Sequence, residues 1–127
     1  MNLQDLYTSC MAKPGTTEHF PFDEDTLVFK VGGKIFCMTS LQEWENGRPA
    51  LNLKGNPEQN EELREQFSAV RPGYHSNKMH WNTVDCNKDV SDKLLLQMLQ
   101  QSYDLVYAGL TKKAKQAILD QEKLLEL

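Results

Sequence analysis

Thr26-Leu27-Val28-Phe29-Lys30-Val31-Gly32-Gly33-Lys34-Ile35-Phe36-Cys37-Met38-Thr39 decides the fold, because two runs of β-branched and aromatic residues flank a pair of glycines. A two-residue Gly-Gly connection supplies the positive φ that a tight hairpin turn demands, so the segment predicts two antiparallel strands. With Val31 opposite Lys34, ideal pairing sets Phe29 across from Phe36 and Leu27 across from Met38. Those four form the expected core face. Lys30 falls on the opposite face, with Val28, Ile35 and Cys37.

Downstream, a polar turn at Glu45-Asn46-Gly47 precedes Ala50 to Lys54, where Leu51 and Leu53 alternate with Asn52 and Lys54 as in a half-buried strand. Gly55-Asn56-Pro57-Glu58 is a helix start: asparagine caps, proline occupies the first turn and acids face the positive dipole end. That helix should run to about Phe67, with Leu63 and Phe67 as an i, i+4 pair. Trp81 to Asp85 reads as a fourth strand. Ser91 or Asp89 then caps a long helix in which Leu95, Met98, Leu99, Ser102, Val106 and Leu110 keep helical spacing until Gly109-Leu110-Thr111 breaks it. Lys112 to Leu125 forms a last, polar helix whose apolar stripe is limited to Ala114, Ala117, Ile118 and Leu125. Upstream, Leu3, Leu6, Tyr7 and Cys10 make one apolar stripe, stopped by Lys13-Pro14-Gly15. The expected order is α-β-β-β-α-β-α-α, an α+β domain over residues 1–127 around an antiparallel sheet.

At 127 residues and 39% hydrophobic composition, the chain suits one core. It shows no leader pattern and no apolar run near the ~20 residues of a membrane span, so a cytoplasmic protein with no membrane partner is expected. Cys10, Cys37 and Cys86 are odd in number and include no CxxC pair, which argues for buried thiols over disulfides or a zinc ribbon. A net charge of −4 disfavours indiscriminate nucleic-acid binding. The acids are unevenly spread, however. Residues 26–42, 46–57 and 66–84 contain no Asp or Glu and carry Lys30, Lys34, Arg48, Lys54, Arg71 and Lys78, so a shared face would be positive.

The segment from Arg71 to Val84 concentrates the polar chemistry. His75 and His80, five apart, lack the ligand number and spacing of a zinc site, and no metal or other cofactor is expected. No carboxylate lies in the stretch to partner a histidine base. Gly32-Gly33 sits between strands, so it is not a phosphate loop. Arg71, Lys78 and the histidines can instead meet phosphates, Tyr74 and Trp81 can stack on bases, and Asn77 and Asn82 offer donor-acceptor pairs. The plainer reading makes Pro72-Gly73 a turn, Trp81 a core anchor and Asn77 a partner for loop backbone groups.

Lys13-Pro14-Gly15, Phe29 to Phe36, Leu51-Asn52-Leu53-Lys54, Arg71-Pro72, Asn77-Lys78, His80-Trp81-Asn82-Thr83-Val84 and Ser102-Tyr103 together resemble the MmcQ/YjbR family of small bacterial proteins. The resemblance implies an α+β fold similar to the bacterial frataxin (CyaY-like) fold, with no established enzymatic activity. The family's shape has been likened to a double-wing nucleic-acid-binding fold, which would place DNA contacts on Lys30, Lys34, Lys54, Arg71, His75, Lys78 and Trp81. A frataxin-like iron role would need an acidic first helix, and Asp5 is the only acid there. The leading expectation is therefore a module for DNA or another anionic ligand. The alternatives are a protein-interaction or chaperone-like domain, and an enzyme for a small phosphorylated or carboxylated molecule with His75 or His80 as base.

Overall fold

A computed structural model of the chain describes residues 1–73 and 77–126. Its elements are α1 (Leu3–Met11), β1 (Thr16–His19), β2 (Thr26–Val31), β3 (Lys34–Ser40), α2 (Leu41–Glu45), β4 (Ala50–Lys54), α3 (Pro57–Gln66), β5 (Val70–Pro72), β6 (Trp81–Asp85), α4 (Asp92–Ala108) and α5 (Lys112–Leu125). Among the described residues the strands form one six-stranded sheet in the order β1-β2-β3-β4-β6-β5, every neighbour antiparallel. The α+β expectation holds. Three elements are additions to it. β1 (Thr-Thr-Glu-His) and β5 are polar or very short edge strands without apolar alternation, and Pro72 at an edge removes no needed ladder bond. α2 is too short for periodicity and is set by its cap, Ser40 Oγ accepting the Glu43 N–H.

The glycine turn forms as expected, Gly32 and Gly33 having φ of 57° and 79°. The register beyond it does not. Val31 pairs with Lys34 and Lys30 with Ile35, but a β-bulge follows, so that Phe29 faces Cys37, Val28 faces Met38 and Leu27 faces Thr39. Phe36 is the extra residue. A bulge lets two successive side chains lean to one side, and Phe36 and Cys37 are both fully buried in the core. Cys37 is thereby moved from the outer face to the core, and Met38 from the core to the outer face.

Ser102 explains how the bulge is tolerated. Its hydroxyl accepts the Lys54 N–H at 2.8 Å and donates to the Phe36 carbonyl at 2.5 Å, linking the backbones of β4 and β3 where the ladder is interrupted. A serine in an otherwise apolar helix stripe is thus a sheet component. Ser91 caps α4, as expected, while Asp89 accepts the Ser68 and Ala69 N–H groups and so pins the entry to β5.

α4 packs across β2, β3 and β4 and buries the predicted stripe, Leu95, Met98, Leu99, Ser102 and Val106, together with Tyr103. Rings run from Tyr7 through Phe29, Phe36 and Tyr103 to Tyr107, with neighbouring centroids 5.3–6.4 Å apart. Tyr103 also donates to the Pro14 carbonyl at 2.5 Å, and burial pushes its hydroxyl up to about 12. On α5 only Ile118 of the expected stripe is fully buried; Ala117 and Leu125 face outward. The three cysteines are free and buried. Burial holds the Cys86 thiol up at about 12, and the neighbouring Cys10 together with burial raises that of Cys37, so both are protonated and unreactive at neutral pH.

Candidate functional site

The helices cover one side of the sheet, and the register assigns residues to the other. Cross-strand partners share a face, which gives three rows across the open side. The first contains Thr17, Lys30 and Ile35, then Lys54 and Trp81. The second runs His19, Val28, Met38, Asn52, Thr83 and Arg71 without interruption. The third pairs Thr26 with Ser40 and Ala50 with Asp85. Over them lies a groove of about 910 Å³, lined by Ile35, Met38, Ala50, Trp81 and Arg71 and walled by Phe22 and Asn77. Concave, partly apolar spaces with a few convergent polar groups are where ligands bind.

Charge is divided along this groove. The acid-free segments do share the open face, but acid-bearing loops return to its third row. Asp23, Asp25 and Glu43 line that end, and Asp85 stands in the row itself. Each carboxylate is engaged. Asp23 accepts the Asp25 and Thr26 N–H groups, bonds that hold its carboxyl below the ordinary range. Asp25 accepts from the Ser40 hydroxyl and the Gln42 N–H, and Glu43 pairs with Arg48. Beyond the other end, outside the groove lining itself, Lys30 and Lys54 of the first row and Lys78 of the turn before β6 have no carboxylate partner among the described residues.

Arg71, like Arg48, is an expected cation that is paired: its guanidinium meets Asp85 at 2.8 Å and Lys88 holds the second oxygen at 3.3 Å. Burial pushes the Asp85 carboxyl up, but the hydrogen bonds and charges of Arg71 and Lys88 outweigh it and lower the value. A carboxylate with a depressed folded value stabilises fully above the unfolded value near ~4, and that stability is lost as pH falls through the folded value. Arg71→Gln is therefore expected to raise the Asp85 midpoint, followed by carboxyl carbon NMR. An unmoved midpoint would show that Arg71 does not hold this charge.

The other expected site residues divide clearly. Lys54 and Trp81 are direct cross-strand partners, and Lys30 lies in their row. Lys78 occupies the turn immediately before β6, so it borders the same end. Lys34 pairs with the buried Val31, and the pleat turns it to the helical side, away from the groove. His75 and Tyr74 lie outside the described residues. Among those described, the groove lining includes no histidine, so His80 is not brought to Arg71 there. Nor is any group of three His, Cys, Asp or Glu side chains placed to share a metal ion among the described residues.

Trp81 is half-buried along the groove and does not anchor the core. Asn77 has the structural role: its side chain accepts the Met79 N–H, and its carbonyl accepts those of His80 and Trp81. Asn82 is buried on the helical side, donating to Asn60 and accepting from Arg64 Nε at 2.6 Å. Arg64 also donates to the carbonyls of Lys78 and Trp81, so α3 clamps the turn that presents both residues. Sequence reading missed Arg64 because an arginine amid the glutamates of a polar helix gives no sign of what it reaches. Gly55 lets Asn60 close this network; a Cβ there would lie 2.2 Å from Asn60 Oδ1.

The YjbR family model matches residues 11–105. The chain is 40% identical over 103 residues to Escherichia coli K12 protein YjbR, covering 81% of this chain and 85% of that one. It is 35% identical over 99 residues to the Escherichia coli O157:H7 protein YbdF, covering 78% and 79%. Both relatives are described as uncharacterized. Among solved structures, Deinococcus radiodurans protein DR2400, of the domain family DUF419, superposes with a TM-score of 0.83 at 38% identity, covering 92% of this chain and 87% of that one. A Pseudomonas syringae protein superposes with a TM-score of 0.71 at 26% identity, covering 84% and 99%. With the match running from the end of α1 through the whole sheet into α4, the chain belongs to the YjbR family.

Proposed function

We propose that the open face of the sheet binds nucleic acid, with Lys30, Lys54 and Lys78 on phosphates and Trp81 as a stacking platform. The observation that carries this reading is the Lys54–Trp81 cross-strand pair, placed in one row with Lys30 and bordered by Lys78. Cations without carboxylate partners keep their full attraction for a polyanion, and a neighbouring aromatic adds base stacking that tolerates any sequence. The acids of α3 lie on an element that packs behind the sheet, so the net charge of −4 does not describe the binding face.

Anisotropy titrations with labelled oligonucleotides test this. Three phosphate contacts predict an affinity loss of roughly 20-fold between about 50 and 200 mM salt, and Lys30→Gln or Lys54→Gln should each weaken binding about 5-fold at the lower salt. No saturable binding at low salt would refute the reading. A polypeptide ligand is the second reading, favoured by exposed Phe22 (65%) on the groove wall and exposed Met79 (64%) in the turn before β6. Its binding would vary little with salt.

A further inference from the structure

Resting on that reading of the face, we infer that the groove accepts a single strand and rejects a duplex, because its two ends differ in charge. The cationic row and the carboxylate row are four residues apart along β4, Lys54 to Ala50, which is about 13 Å at strand rise. A single strand needs cations along one line only. Its backbone can follow Lys30, Lys54 and Lys78 while its bases extend over Trp81 and the apolar floor of Ile35 and Met38.

A duplex brings a second backbone. The major groove separates the two phosphate lines by about 12 Å, so a duplex seated on the lysine row would lay its other strand over the end that holds Asp23, Asp25, Glu43 and Asp85. Four carboxylates stand there against three cations, Arg48, Arg71 and Lys88, so that end offers the second strand no net positive charge, and Asp23 and Asp25, which have no cationic partner among the described residues, repel it. Unpaired bases also expose the faces that Trp81 can stack against, whereas paired bases in a duplex do not.

The 127-residue chain at about 50 mM salt would be titrated with a labelled 12-nucleotide DNA strand, with the same strand annealed to its complement, and with poly-glutamate as competitor. The strand should bind at least about 10-fold tighter than the duplex. Trp81→Ala should weaken it about 10-fold and Trp81→Phe should restore most of that loss, in line with stacking, with circular dichroism confirming that each variant folds. Glu43→Lys should narrow the gap by strengthening duplex binding. Equal or tighter binding of the duplex overturns the inference and leaves the nucleic-acid reading standing; displacement by poly-glutamate at matched charge also overturns it, since that competitor has no bases. Absence of binding by both DNA forms removes the underlying reading itself.

Discussion

Phe36→Ala should destabilise the protein by about 3–5 kcal/mol, the range for truncating a fully buried phenylalanine. Phe36 is fully buried and stands at the bulge, its ring 5.3 Å from Tyr103 in an edge-on contact and 6.4 Å from Phe29. Its neighbours cannot close the cavity. The ladder around it is already interrupted, and the Ser102 hydroxyl fixes its carbonyl. Against a typical total of about 5–15 kcal/mol, this loss removes a substantial share of the stability. Urea unfolding measures it. A loss below about 1 kcal/mol would mean that the hairpin had re-paired in the ideal register, with Phe29 opposite position 36.

Ser102→Ala should cost about 2–4 kcal/mol although it removes one atom, because two backbone groups lose their partner together. The Lys54 N–H and the Phe36 carbonyl both turn to that hydroxyl, and Ser102 is fully inaccessible to solvent. An alanine is a better helix former than serine, so any gain in helix propensity within α4 works against the predicted loss. Amide hydrogen exchange gives the specific signature. Lys54 should lose protection beyond the loss shared by the rest of β4, and uniform loss along the strand would contradict the bridging role.

How much of the site was readable follows from the same residues. Lys30 and Lys54 were legible as lying opposite the apolar face of their strands because alternation is a local feature, whereas Trp81 joined them only through the family resemblance and its place beside Lys54 came from the β4–β6 pairing. Arg71 was legible as a cation but not as one half of an ion pair, since Asp85 lies 14 positions away and meets it only through the β5–β6 pairing. Asn82 looked like a recognition residue and is a buried partner of Asn60 and Arg64, because the face on which a residue falls also depends on which helix crosses behind it. The expected positive face was half right. Loops carrying Asp23, Asp25 and Glu43 fold back onto its far end, and no stretch of sequence shows where a loop returns.

By itself the sequence determined the turn, the strands and helices with strong periodicity, the caps at Asn56 and Ser91, and the family. All but the family rest on interactions between residues a few positions apart, or on patterns of period two and 3.6, and the family is legible from short motifs between Lys13 and Tyr103. Tertiary structure alone decided the bulge at Phe36, the polar edge strands β1 and β5, the purpose of Ser102 and the division of charge along the groove. Those features depend on groups far apart in the chain satisfying one another in space. A hydroxyl 66 residues from the carbonyl it binds carries no local signature, yet it allows the sheet to shift register and turn Met38 onto the open face.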